Sequence, residues 1–229
     1  MPDDAPPLPP DDVLRAGQRD AAVIDIATRH GRAVAHVHAA HGRDAGSPVG
    51  VLVLGHGAGG GVAAPDLVAV AASAAAAGWS VVLVEQPYRA AGKRVPPRAP
   101  VLDEAWCDVV HELRDTRMAG LADGLPLVVG GRSAGARVAC RTALPTGAAG
   151  VVALAFPTRP GRADRPSRVP ELDAAGVPVL VVQGSADPYG APPTGPGREV
   201  AVVPGDHGLR KDLPAVADAV TRWLGRLAD

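Results

Sequence analysis

From Val49 onward the chain carries short, unbroken apolar runs: VGVLVL, WSVVLV, LPLVVG, GVVALA and VPVLVV. Strands buried on both faces of a parallel sheet read this way, whereas a strand with one wet face alternates. Alternation does appear earlier, over residues 21–28 and 32–39 on either side of His30-Gly31, which is the pattern of a hairpin on a sheet edge. Between the runs lie segments of helical period: Pro65–Ala77, Asp103–Ala119, Ser133–Leu144, a short Glu171–Ala175, and Pro214–Leu227. Strand and helix in alternation predict an α/β fold, a mostly parallel doubly wound sheet with an N-terminal antiparallel hairpin and helices on both faces. In such a sheet the functional loops gather at the carboxyl ends of the strands. The Pro/Arg-rich stretches 87–100 and 157–170 follow strands and read as long loops. Residues 1–18, beginning MPDDAPPLPPDD, read as a disordered tail, and 19–229 as one domain. No repeat of 20–50 residues is present.

Composition narrows the partners. Lys+Arg number 23 against 24 for Asp+Glu, so neither a nucleic-acid face nor a membrane-binding surface is advertised. Aromatic residues at 3% leave no platforms for stacking bases. A small molecule is the expected partner, and the chain is expected as a monomer or homodimer. The two cysteines, Cys107 and Cys140, each fall inside a predicted helix, and the acidic, proline-rich start lacks the form of a secretory signal. Both features suit a reducing, cytoplasmic setting. The longest apolar stretch, Val68 to Val84, is broken by Ser73, Gly78 and Ser80, so a helix followed by a strand explains it better than a membrane span.

The chemistry concentrates in LPLVVGGRSAGARVACR, a buried strand, then Gly131-Arg132-Ser133-Ala134-Gly135, then a helix. In this G-x-S-x-G turn the flanking glycines are needed because side chains there would strike the neighbouring strand and helix, while the serine is lifted above the sheet. A Gly-rich turn whose serine merely caps the helix is the bland alternative. A serine hydroxyl is a weak nucleophile at neutral pH and needs an imidazole to take its proton. Where such an elbow carries the nucleophile, the partners follow in the order acid, then histidine, which leaves His207 in VAVVPGDHGLRKD as the base among seven histidines. The acid should follow a strand between the two, and VPVLVVQGSADPYG supplies Asp187. Asp164 and Asp173 belong to the preceding loop, and Asp206 is too near His207 in sequence to be aimed at its ring.

Acyl transfer also needs two N–H donors for the developing oxyanion. Ala134, directly after the nucleophile, is one; the Gly-rich loop in VGVLVLGHGAGGG supplies the other at Ala58, with Gly57 and Gly59 as neighbouring pocket candidates. Tyr88 and Arg89 in VEQPYRAAGKRVPPR are further pocket candidates, where Lys93 and Arg94 would favour an anionic acyl group; a solvated loop is the alternative. About twenty residues after Phe156 suffice only for a short lid, so an open, shallow site is expected. Trp106, Trp223 and His111 are read as core packing. No histidine or cysteine falls at a zinc spacing, and VHAAH at 37–41 reads as the end of an alternating strand, so neither metal nor other cofactor is expected.

Taken in order, HGAGGG, GRSAG, QGSADPYG and PGDHGL resemble the α/β-hydrolase family, and within it the short, dienelactone-hydrolase-like branch, over about residues 20–227. The resemblance implies a parallel-sheet core, a triad of Ser133, His207 and Asp187, and an ester, thioester or lactone-like acyl substrate handled through an acyl-enzyme, as in carboxylesterases. Dienelactone hydrolases proper use cysteine where this chain has Ser133, so a serine esterase is the expectation. A rival lies in Gly55-His56-Gly57-Ala58-Gly59-Gly60, which satisfies G-x-G-x-x-G after a strand, with Glu85 closing the next, as in dinucleotide-binding oxidoreductases. Against it, a hairpin precedes that strand and Pro65 starts the helix beyond the last glycine. The rival also leaves Ser133, Asp187 and His207 unused. A catalytically silent scaffold of the same fold is the third reading; the presence of all three side chains argues against it.

Overall fold

A computed structural model describes residues 21–41, 47–116, 124–159 and 166–228. Among them eight strands form one sheet. The hairpin β1 (Ala22–Thr28) and β2 (Gly31–His38) is antiparallel, and β2 joins β4 (Trp79–Glu85) antiparallel as well. β3 (Gly50–Gly55), β5 (Leu127–Arg132), β6 (Gly150–Leu154), β7 (Val179–Gly184) and β8 (Arg198–Val203) continue the sheet in parallel, in the order β1-β2-β4-β3-β5-β6-β7-β8. The chain is thus a mostly parallel α/β fold with the expected antiparallel hairpin at one edge, and the ends of its parallel strands share one rim.

The unbroken apolar runs have a direct cause. Val51 and Val53 of β3 enter a cluster with Trp106, Val109, Ala136 and Ala139 on one face of the sheet, while Leu52 and Leu54 enter a second with Leu67, Val216, Val220 and Trp223 on the other. Successive side chains point to opposite faces, so a strand covered on both has no wet position to fill with a polar residue. Each such Val or Leu contributes about 1.5–3 kcal/mol relative to an exposed one.

Helices α1 (Pro65–Ala76) and α6 (Leu213–Ala228) cover one face; α3 (Ala99–Asp115) and α4 (Ala134–Thr142) cover the other. Several helix boundaries depart from the sequence expectation. The stretch 87–100 is not loop throughout: α2 (Pro87–Ala90) occupies its start, and α3 begins at Ala99 rather than Asp103. In both cases a proline sits in the first helical turn, where its missing N–H costs nothing and its fixed φ suits the helix. The same holds for α5 (Val169–Asp173), which starts two residues ahead of its predicted Glu171. The predicted end of the third helix at Ala119, the tail at 1–18 and part of the 157–170 loop lie outside the described residues. Trp106 and Trp223 are buried as expected. His111 is not: it faces solvent on α3 and its Nε2 meets the Pro145 carbonyl at 3.0 Å. No helix among the described residues is long and apolar enough to cross a membrane.

Candidate active site

β5 runs out at Arg132 and α4 starts at Ala134, leaving Ser133 as the whole of the turn, with φ 52° and ψ −103°. A non-glycine residue held there stores about 1–3 kcal/mol of backbone strain. The glycines either side allow the turn to press on β3: a Cβ on Gly131 or on Gly135 would stand 2.4 Å from the Gly55 carbonyl oxygen. The Ser133 N–H is tied to the Leu154 carbonyl of β6 at 2.9 Å. Its hydroxyl makes no capping bond to α4, so the bland reading as a helix cap does not describe it. Instead Oγ lies 3.0 Å from His207 Nε2.

His207 arrives on the loop after β8, and its Nδ1 meets Asp187 Oδ2 at 2.8 Å. With Asp187 accepting from Nδ1–H, Nε2 keeps a lone pair for the serine O–H. The Asp187 side chain is wholly buried, a position a carboxylate occupies only when its lone pairs are used. They are: Tyr189 N–H donates to Oδ1 at 2.8 Å, and Gln183 Nε2 donates to Oδ2 at 2.7 Å. Gln183 also donates to the Gly190 carbonyl at 2.9 Å, so it fixes the acid and the turn behind it together. The Tyr189 ring stands edge-on to the imidazole, with centroids 4.6 Å apart. Sequence reasoning passed over Gln183 and Tyr189. The one available signal was a polar residue closing the otherwise apolar β7.

The Gly-rich loop after β3 lies against this group. A Cβ on Gly57 would be 3.7 Å from the Ser133 Cβ, whereas Gly59 looks into open space. The loop is shaped from behind by His56, which donates from Nδ1 to the Gly57 carbonyl (2.9 Å) and accepts the Gln86 N–H on Nε2 (3.2 Å). A neutral imidazole alone can do both, and burial pushes the His56 pKa down accordingly. Tyr88 is buried, and its hydroxyl donates to the Ala58 carbonyl at 2.9 Å. Arg89 turns to its own loop, donating to the Lys93 carbonyl at 3.2 Å. Ala134 stands at the N-terminus of α4, where first-turn N–H groups lack intrahelical partners. Helix α1 begins only at Pro65, five residues beyond Gly60, so no helix N-terminus receives a pyrophosphate where the dinucleotide fingerprint needs one.

Two further residues went unremarked in the sequence. Arg132, the variable position of the elbow, donates from Nη2 to the His207 carbonyl at 2.6 Å and places Nε 2.9 Å from Oδ2 of Asp66. Asp66 is fully buried in the first turn of α1; burial pushes its carboxyl pKa up, against the downward pull of Arg132. A cavity of about 340 Å³ lies beside Tyr88 and is lined by Gln86, Val95, Leu102 and Lys93, without any of Ser133, Asp187 or His207. Among the described residues no cluster of three or more His, Cys, Asp or Glu is arranged to hold a metal ion.

A family model described as an alpha/beta hydrolase domain matches residues 48–199. No curated protein matches in sequence. Among solved structures, a serine hydrolase without lid from Xanthomonas campestris superposes with TM-score 0.67 at 19% identity, covering 96% of this chain and 98% of that one. A dienelactone hydrolase from Anabaena variabilis gives 0.67 at 17%, covering 91% and 98%. A hyperthermophilic esterase from Pyrobaculum calidifontis gives 0.63 at 16%, covering 96% and 90%. At such identities the likeness is one of fold.

Proposed function

The chain belongs to the alpha/beta hydrolase domain family, and on that premise we propose that it is a serine esterase cleaving small-molecule esters, or related acyl compounds, through an acyl-enzyme. Ser133 Oγ attacks the carbonyl carbon and passes its proton to His207 Nε2. Asp187 holds the imidazole in the right tautomer and stabilises the imidazolium that forms. The negative charge that develops on the carbonyl oxygen is met by the backbone N–H groups of Ala134 and Ala58, each worth about 3–4 kcal/mol of barrier. The tetrahedral intermediate collapses, the leaving alkoxide takes the proton from Nε2, and the acyl group remains on Ser133. Water then attacks the acyl carbon with His207 as base, releasing the acid and restoring the serine hydroxyl.

The observation that carries this reading is the relay itself, Oγ to Nε2 at 3.0 Å and Nδ1 to a buried carboxylate at 2.8 Å. The Xanthomonas serine hydrolase and the Pyrobaculum esterase add a fold on which such chemistry runs. The test is Ser133→Ala assayed on p-nitrophenyl acetate beside fluorophosphonate labelling. Turnover should fall by several orders of magnitude and labelling should vanish. Wild-type turnover in the purified variant would remove Ser133 from the mechanism.

A further inference from the structure

Arg132 occupies the elbow position that the G-x-S-x-G pattern leaves free, yet its side chain is only 19% exposed and reaches three other segments. Nη2 holds the His207 carbonyl at 2.6 Å; Nε pairs with Asp66 of α1 at 2.9 Å; and a Cβ on Gly57 would lie 3.1 Å from Nη1, so the guanidinium also backs the Gly-rich loop. We propose that Arg132 is a positioning residue for His207, a strap from the nucleophile's own neighbour to the base's backbone, and that Asp66 keeps the strap electrically neutral. The proposal rests on the triad reading above and adds to it the means by which the serine–imidazole distance is held.

The His207 loop needs such a strap. It turns through Gly205 (φ 129°), which glycine adopts freely, and through Leu209 (φ 50°), a non-glycine residue in a backbone region that persists only where its surroundings hold it. Asp187 holds the ring at Nδ1, and this bond does not by itself fix the backbone that carries the ring. A second hold on the backbone, delivered from residue 132, ties ring position to the residue that must be met, Ser133. A planar fork suits the task because one nitrogen can bond the carbonyl while another faces Asp66.

The charges matter as well. His207 is faced by Asp187, Tyr189 and Ser133, and by Arg132 through its carbonyl; its own loop also carries Asp206, whose Oδ1 takes the Gly208 N–H, and Arg210 and Lys211. A bare guanidinium so near would oppose the imidazolium that forms when the serine yields its proton. The buried Asp66 carboxylate cancels that effect while the geometry is kept.

Three variants test this: Arg132→Lys, Arg132→Met/Asp66→Asn, and Asp66→Asn. Each is assayed on p-nitrophenyl acetate per fluorophosphonate-titrated site, with a pH profile of kcat/KM. The double variant leaves no orphaned charge and should lower kcat by about 10²-fold, the scale of a 1 Å misplacement, with KM within about twofold of wild type. Arg132→Lys, a point donor unable to serve both partners, should recover only part of this. Asp66→Asn should move the acid limb of the profile to lower pH. A purely structural role would lower the melting temperature and the titrated fraction but leave kcat per site intact. The proposal falls if kcat of the double variant stays within twofold, if KM rises in place of a kcat loss, or if the acid limb of Asp66→Asn stays put. If the double variant does not melt cooperatively, Arg132→Lys decides: wild-type kcat in it overturns the proposal. Turnover surviving Ser133→Ala would instead bring down the triad reading beneath it.

Discussion

Gly135→Ala puts two effects of opposite sign in direct competition. In an ordinary helix interior the exchange stabilises by about 1 kcal/mol, because alanine loses less backbone freedom. Here the new Cβ would stand 2.4 Å from the Gly55 carbonyl oxygen, 2.6 Å from the Gly55 carbonyl carbon and 2.9 Å from the His56 carbonyl oxygen. Ordinary contact begins near 3.4 Å, so α4 and the end of β3 must part by about 1 Å. All three obstructing atoms are main chain, so no rotamer relieves them. Overpacking of this kind costs about 3 kcal/mol, the upper end of its usual range; set against the helix gain of about 1 kcal/mol, the net loss is about 2 kcal/mol. In a chain of this size that lowers Tm by about 4–8 °C. The displaced segment leads into Gly57, beside Ser133, so kcat should also fall by about 10²-fold. Gly225→Ala in α6 is the matched control, since a Cβ there meets nothing within 4 Å, and Tm should rise by about 2–4 °C. Differential scanning calorimetry and the p-nitrophenyl acetate assay read both variants. The reasoning is refuted if Gly135→Ala melts at or above wild type with its activity intact.

Two predictions concern pH. His56 has its pKa lowered by burial, so its contribution to stability is complete above the ordinary imidazole value of about 6.5 and is lost as pH falls from there through the lower, folded value. Tm should therefore drop more steeply from pH 8 to pH 5 in wild type than in His56→Asn, and parallel curves would contradict this. For Glu171, burial pulls the pKa up but Arg137 and Arg141, at 2.6–2.9 Å, outweigh it and leave it lowered. Its stabilisation is present above the ordinary carboxylate value of about 4.3 and disappears as pH falls through the lower, folded value. Glu171→Gln should cost about 2 kcal/mol at pH 7 in urea titration, with the gap to wild type closing below pH 4; a gap unaffected by pH would refute the assignment.

What the sequence carried, it carried through local pattern. Five solid apolar runs announced strands covered on both faces, and the alternation around His30-Gly31 announced the edge hairpin, because burial imposes its period directly on neighbouring residues. The prolines misled for an equally local reason. Pro87 and Pro100 break helices in the interior but start them in the first turn, and only their place relative to a helix, fixed by what the helix packs on, separates the two cases. His111 went wrong because its position on α3 was read as inward, while the apolar stripe that enters the core is Trp106, Val109, Val110 and Leu113.

A different limit governs the site. Ser133, Asp187 and His207 stand out in a sequence because a hydroxyl, a carboxylate and an imidazole that can form a relay are of particular chemical types, and those types sit in recognisable turns. Arg132, Asp66 and Gln183 belong to no such pattern, and what marks them is their partners in the fold. Arg132 meets a backbone carbonyl 75 residues away and Gln183 the very oxygen that Asp187 offers to His207. A carbonyl is present at every residue, so nothing in the letters around His207 marks it as the one that needs a guanidinium. Residues that hold another residue's backbone are specified by the fold's geometry alone, and a motif that leaves position 132 open is silent about the side chain that bonds the His207 carbonyl.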